Sequence, residues 1–411
     1  MKKQNRIWMM ATAMLLSLAV LTGCSVLQSR SSHTKNQVQN EITNKVVQYE
    51  NITIADLESC VLNTSKMLEN SVIGITLKAN YKTMINGHLI TSEDTESIGS
   101  GVIYKRETNY NAEGKVNSYT YYVVTNRHVI TGANQGYTYK TYAYLGNEDI
   151  EIEAEVVGYD TKVDIALVKF QHTTLIQPVE FADSDAIQKG QFAIAIGNPD
   201  GYEYYGSVTF GIISGELRYI SEDTDGDKVN DFNAAYIQHD VTINPGNSGG
   251  GLFTIDGKLI GINTLKIVDD KIDNMGFAIP ANIVKSLLEN YLEQGKTIVR
   301  PRLGIVGIEV RNLSNAIIAQ NQLKEIPTTI YGSVKPYGIY VTDVTENGTM
   351  SQTSLQKDDI ILAFEDEPLT QMTILTGKLN ALTDYVVGSK VEIAYYSRRL
   401  NKIVTETVTL R

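Results

Sequence analysis

Cysteine is nearly missing from this chain: two in 411 residues, Cys24 and Cys60. A metal site built from cysteines is excluded, and so is any fold held by a framework of disulfides. Proline is scarce at 8, and tryptophan occurs once. A basic excess is also missing, since 36 Lys and Arg stand against 47 Asp and Glu for a net charge of −11. Such a balance attracts no phosphate backbone, and a nucleic-acid partner is not expected. The apolar run Ile7 to Leu21 falls short of the roughly 20 residues that span a bilayer with confidence. Histidine is limited to His33, His88, His128, His172 and His239. None lies beyond His239, and that absence separates two enzyme folds.

What is present reads as a folded protein with attachments. The chain is 42% hydrophobic and 20% charged, with 32 glycines, which suggests two or three domains of about 100–200 residues each. Lys2, Lys3 and Arg6 precede the apolar run, the layout of a targeting segment. The run ends Leu21-Thr22-Gly23-Cys24, which resembles the lipobox of bacterial lipoproteins. That resemblance implies a signal peptide over 1–23, cleavage before Cys24 and a diacylglycerol on its thiol. The protein would then sit on the extracytoplasmic face of a bacterial membrane, in the cell envelope. Cys60 would be left alone, unable to form an internal disulfide. Residues 24–50 are rich in Ser, Asn, Gln, Thr and Lys and read as a flexible tether. Ile54, Leu57, Val61 and Leu68 have helical spacing, and Cys60 is expected to pack with them.

From Ser71 onward, short runs of Val, Ile and Tyr are broken by Gly, Asn and Asp. Ser71 to Leu77, Gly99 to Ile103, Tyr121 to Thr125, Phe192 to Ile196 and Gly206 to Ser214 are examples. Repeated short strands with turn signals predict an all-β barrel or sandwich. A helix is predicted over Ala281 to Gln294, and Arg300-Pro301-Arg302 reads as a linker. The boundaries follow: 51–298 for the β domain and 299–411 for a small α+β module. In that module strands are expected at Gly338–Val344, Asp359–Phe364, Lys390–Tyr396 and Ile403–Leu410, with a helix near Thr370–Leu382.

Three segments carry chemistry. Val123 to Ile130 is a strand-like run ending at His128. Asp164 opens the apolar run Ile165-Ala166-Leu167-Val168. Ser248 lies in Asn244-Pro245-Gly246-Asn247-Ser248-Gly249-Gly250-Gly251. A serine nucleophile, a histidine base and an acid to orient it are the parts of a hydrolase triad. Gly246-Asn247-Ser248-Gly249-Gly250 also fits the nucleophile elbow of α/β-hydrolases, but those enzymes take their histidine from beyond the serine. The order His, Asp, Ser instead fits a chymotrypsin-like double β-barrel. Asp160 competes with Asp164 for the acid's place; Asp164 directly abuts the apolar run.

Thr125 to Val129, Asp164 to Val168, Gly197-Asn198-Pro199, Asn244 to Gly250, Gly261 to Thr264 and Gly276 to Pro280 together resemble the HtrA/Deg family of trypsin-like serine proteases. The likeness covers roughly residues 70–295. It implies that Ser248 attacks the scissile carbonyl, that His128 relays the proton, and that Asp164 holds the imidazole. The N–H groups of Gly246 and Ser248 would form the oxyanion hole. Asn263, Thr264 and Leu265 would wall a primary pocket for small or medium aliphatic residues. The terminal module resembles the PDZ domain of this family, with Leu303, Gly304 and Ile305 as a loop for peptide carboxylates. Lys357-Asp358-Asp359-Ile360 departs from the family's Gly-Asp spelling there. Members form homotrimers.

The implied function is a membrane-tethered serine endopeptidase that degrades or processes misfolded envelope proteins. Its partners would be unfolded polypeptides and peptide C-termini, and it would need no cofactor. Two other readings are a PDZ-bearing chaperone or scaffold with little proteolysis, and a narrow signalling protease. One motif stands outside this scheme. Asp223, Asp225 and Asp227 alternate as in the opening of a calcium loop, although Lys228 occupies the glycine position and Ala234 the closing glutamate position.

Overall fold

A computed structural model describes residues 53–85, 88–199, 201–224, 227–264, 274–320, 338–365 and 367–411. Cys24, the signal segment and the tether lie outside these residues. Ala55–Arg411 make up one unit.

Helix α1 (Ile54–Leu68) leads into strands β1 (Val72–Ile85), β2 (His88–Tyr110), β3 (Val116–Asn126), β4 (Thr138–Leu145), β5 (Ile150–Asp160) and β6 (Ile165–His172). They close into an antiparallel ring in the order β1-β2-β3-β6-β5-β4. A second ring follows from β7 (Phe192–Gly197), β8 (Ser207–Glu222), β9 (Phe232–His239), β10 (Gly251–Phe253), β11 (Leu259–Thr264) and β12 (Gly276–Pro280), in the order β10-β11-β12-β9-β8-β7. Closure leaves neither ring an unpaired edge.

The apolar runs of the sequence are continuous because the strands are buried on both faces. Side chains alternate across a strand. On β7, Ala193 and Ala195 fill the second ring, while Ile194 and Ile196 face out into the layer between the rings. On β6, Ala166 and Val168 fill the first ring and Ile165 and Leu167 face out. Val123 and Val124 divide the same way on β3. The outward side chains meet in one shared layer with Val102, Tyr236, Phe253 and Ile262. Each such burial is worth about 1.5–3 kcal/mol, so the rings are held together by many of them.

Helix α2 (Ala281–Leu287) continues through a wider turn at Leu288–Leu292 and buries Leu287, Leu288 and Leu292 in the shared layer. A third sheet then forms from β13 (Ile305–Glu309), β14 (Ile339–Val344), β15 (Ile360–Phe364), β17 (Lys390–Ser397) and β18 (Lys402–Thr409), with the short β16 (Glu367–Pro368) on β15. Helix α3 (Asn315–Gln320) follows β13, and helix α4 (Met372–Ala381) precedes β17. Leu375 and Leu379 of α4 pack on Ile339, Val341 and Ile393 of the sheet, an arrangement consistent with a PDZ domain.

Two expectations change. Cys60 is exposed. The buried stripe of α1 runs through Thr64 and Leu68, with Leu57 and Val61 half-buried, and position 60 falls on its margin. Arg300-Pro301-Arg302 is no loose linker. The Arg300 guanidinium pairs with the buried carboxylate of Asp160, lies 5.2 Å from the Phe232 ring, and donates through Nε to the Asn380 carbonyl at 3.0 Å. Asn380 in turn donates through Nδ2 to the carbonyl of Asn233 at 2.8 Å. The third sheet's helix is thereby clasped to β9.

Candidate active site

The cleft between the rings receives residues from both. Strand β3 ends at Asn126 and passes into a tight turn, Arg127–Ile130. Val129 and Ile130 are buried and anchor the turn, while the side chain of His128 is 41% exposed. Asp164 stands just before β6 with a left-handed backbone, φ +63°, a conformation that Asp tolerates better than most residues. Its carboxylate accepts from His128 Nδ1 at 2.6 Å and from the His128 amide at 3.0 Å. Its carbonyl accepts from the Arg127 amide at 3.0 Å and from Asn126 Nδ2 at 3.1 Å. Four contacts thus fix both the acid and the ring it faces. Asp160 is engaged with Arg300 instead.

Ser248 is buried in the loop between β9 and β10. Gly246 and Gly249 have φ of +97° and +83°. A side chain at Gly249 would meet the Ser100 carbonyl oxygen and the Thr125 hydroxyl, so the loop reaches the first ring only because that residue is glycine. Ser100 of β2 completes the junction. Its amide donates to the Ser248 carbonyl at 2.8 Å, and its hydroxyl donates to the Gly246 carbonyl at 2.7 Å. That hydroxyl also receives the Asn198 amide at 2.8 Å, and Thr125 Oγ1 donates to the Ser100 carbonyl at 2.6 Å. Gly249 lies against Asn126, two residues before His128. The Ser248 loop of the second ring therefore docks on the end of β3, next to the turn that carries His128 and its partner Asp164.

Asn263 and Thr264 are buried on β11, and Leu265 lies outside the described residues. The Asn263 backbone brackets the serine loop: its carbonyl accepts from Gly249 and its amide donates to Gly250. Ser100 and Asn198 were each part of a sequence motif without an assigned role. Only the fold reveals that they bridge the rings.

The loop expected to take carboxylates is held through its carbonyls, Gly304 by the Thr345 amide at 2.8 Å and Leu303 by the Met350 amide at 2.9 Å. Leu303, Gly304, Ile305 and α4 residues Met372, Leu375 and Leu379 line a cavity of about 1260 Å³ that extends to Asp160 and Arg300. In the acidic loop, Asp223 accepts from the Lys228 amide at 2.7 Å and Asp227 from the Val229 amide at 2.8 Å. Asp231 pairs with Lys162, and Asp225 lies outside the described residues. Among the described residues no three His, Cys, Asp or Glu side chains group as a metal site would require. His172 bonds Glu148 at 3.0 Å, away from the cleft, and His239 is fully buried.

Residues 99–262 match the family model of the trypsin-like peptidase domain. The chain is 34% identical over 330 residues to the serine protease Do-like HtrA of Bacillus subtilis, covering 79% of this chain and 67% of that protein. It is 30% identical over 427 residues to the serine protease Do-like HtrA of Lactococcus lactis subsp. cremoris, covering 100% of this chain and 96% of that protein. Among solved structures, the HtrA-type protease AlgW with a decapeptide superposes with a TM-score of 0.58 at 25% identity. That match covers 85% of this chain and 98% of the other.

Proposed function

The chain belongs to the HtrA family of trypsin-like serine peptidases, and from that premise we propose that Ser248, His128 and Asp164 are its catalytic triad. The observation that carries the assignment is the 2.6 Å contact between His128 Nδ1 and Asp164, in the cleft where the Ser248 loop docks on the first ring. With its proton on Nδ1 and donated to Asp164, the ring keeps the Nε2 lone pair for catalysis.

His128 takes the Ser248 hydroxyl proton as Oγ attacks the scissile carbonyl. The N–H groups of Gly246 and Ser248 receive the oxyanion of the tetrahedral intermediate. His128 then returns the proton to the leaving amine, and the carbon–nitrogen bond breaks to leave an acyl-serine. Water, deprotonated by the same ring, hydrolyses that ester and restores the serine. Protein groups and water suffice for every step.

The substrates in this reading are unfolded or misfolded polypeptides of the cell envelope. Peptide C-termini would add to β13 as an extra strand, with the carboxylate near Leu303, Gly304 and Ile305. The peptide bound to AlgW supports a peptide ligand for this relative. A diacylglycerol on Cys24 would anchor the enzyme, two acyl chains being enough for stable attachment. A fluorophosphonate probe should label Ser248, and Ser248→Ala should abolish both labelling and casein cleavage, a loss on the order of 10⁵–10⁶-fold. Cleavage that survives in Ser248→Ala would remove the serine from the mechanism.

A further inference from the structure

Among the described residues, the first half of β2 lacks a partner strand on one side. From His88 to Ile98 it pairs with β1, Ile85 lying opposite His88 and Thr76 opposite Ile98. Strand β3 joins the other side only at Val102. Side chains along 88–98 are exposed or half-exposed. Native proteins blunt such an edge with proline, lysine or a covering loop. Residues 88–98 contain neither proline nor lysine.

The pleat decides which main-chain groups are free. In an antiparallel pair, every second residue turns its N–H and C=O toward the partner, and the others turn theirs away. Ser100 turns away from β1, since its amide reaches the Ser248 carbonyl at 2.8 Å and its carbonyl takes the Thr125 hydroxyl. Ile98 therefore also turns outward. Glu96 is a bulge, because Leu77 and Lys78 face Ser97 and Thr95. Leu77 points to β2 and Lys78 away from it, so Thr95, Glu93, Thr91 and Leu89 turn outward in their turn. The row of free donors and acceptors thus leads to the serine loop. A side chain at Gly99 would meet Val129, next to His128, and the Ser248 carbonyl oxygen. The hairpin is also held in place. Glu96 accepts the Ala133 amide at 3.3 Å, from the segment after the His128 turn, and Tyr81 stacks on Tyr137 with ring centroids 4.7 Å apart.

We propose that this edge receives the leaving half of an unfolded polypeptide substrate, which adds to β2 as a further strand. That role rests on Ser248 being the nucleophile. Asn263 and Thr264, the expected wall of the pocket for the residue before the cleaved bond, belong to the second ring, and Asn263 holds the serine loop at Gly249 and Gly250. The β2 edge reaches the same loop from the first ring, so it serves the residues after the bond. Main-chain pairing needs an extended chain and reads little sequence, which suits a substrate defined by being unfolded. A second copy is a poorer occupant, since Glu93, Asp94 and Glu96 would face like charges.

The test compares peptides that share one cleaved sequence and carry no extension, an extension after the bond, or one before it. About eight added residues span Leu89 to Ile98 at roughly 3.3 Å per residue. All carry a C-terminal amide, which removes the carboxylate that the third sheet's loop would take. Wild type should cleave the peptide extended after the bond at least about 10-fold better in kcat/KM than the short one, with the gain in KM. N-methylating every second amide of that extension should remove the gain for one of the two alternate sets only. In the protein, Thr91→Pro with Glu93→Pro deletes two outward N–H groups and no bond to β1. The ratio of long to short should then fall to within about twofold of unity, with Ser248 still labelled by fluorophosphonate as the check on folding. A wild type that labels at Ser248 yet cleaves short and long peptides alike, or gains equally from residues before the bond, overturns the proposal alone. So does a double variant whose sedimentation mass falls while its length dependence stays, which would assign the edge to a second copy. Hydrolysis that survives Ser248→Ala overturns the active-site reading, and the proposal with it.

Discussion

Asp164 and Asn263 are both buried polar residues beside the catalytic cleft, one supplied by each ring, and their surroundings are opposite. Asp164 has both carboxylate oxygens and its carbonyl engaged, by His128, Arg127 and Asn126. Asn263 has its backbone engaged by Gly249 and Gly250, and its side chain lies against the buried, neutral ring of His239. The first ring uses its hydrogen bonds to fix one geometry, as proton transfer demands. The second buries a neutral polar pair behind the serine loop, where burial rather than an ionic partner sets the protonation state.

The largest expected effect breaks the saturated side. Asp164→Asn keeps the shape but presents an amide to His128 Nδ1, favouring the wrong tautomer. It should lower kcat by about 10⁴-fold with little change in the thermal midpoint. Stopped assays on one peptide, read beside a melting curve, check it. A loss below about tenfold would mean that Asp164 does not orient the base.

Next comes the neighbouring acid, Asp160, saturated for structure rather than chemistry. Arg300→Met leaves its carboxylate buried without a cation and should cost about 3 kcal/mol in urea unfolding. Turnover per fluorophosphonate-labelled serine should stay within about twofold, since Arg300 touches no triad residue. Asp160→Asn combined with Arg300→Met should recover part of the stability.

The smallest effect concerns the second ring's neutral pair and depends on pH. The folded ring of His239 is pushed from its ordinary 6.5 down to about 4, because burial disfavours the cation and the Val241 backbone, the Asp240 charge and the Asn263 side chain only partly compensate. Between those values the unfolded state binds more protons than the folded state. Stability is therefore intact above about pH 6.5 and is lost as pH falls toward 4, by up to roughly 3 kcal/mol. His239→Leu should flatten that part of the curve. Parallel slopes for wild type and variant across the window would show that the ring is not held neutral.

The residues of the proposed triad stand out in the sequence because such chemistry restricts residue types within short motifs, and the missing downstream histidine chose between two folds. The strands of the shared layer were legible as apolar runs. Their full lengths were not, since β1 and β2 extend as a hairpin through polar residues such as Ser92, Asp94 and Glu96, where no buried face leaves a pattern. Arg300 read as a linker because its partner Asp160 is 140 positions away in sequence. Ser100 looked like any strand residue between glycines. Its task, tying Gly246 to Asn198, exists only once two rings are docked. Cys60 was misplaced because a helical stripe defines its centre better than its margin.

The division of the cleft between the rings has a consequence during synthesis. A ribosome finishes His128 and Asp164 long before it reaches Ser248. The serine loop is shaped by a glycine that fits only against Ser100 and Thr125 of a finished first ring. A nascent or truncated chain ending between the rings therefore holds a base with nothing to activate. The cell needs no separate inhibitory segment to restrain such an intermediate, because the protease becomes dangerous only when its second half has closed on its first.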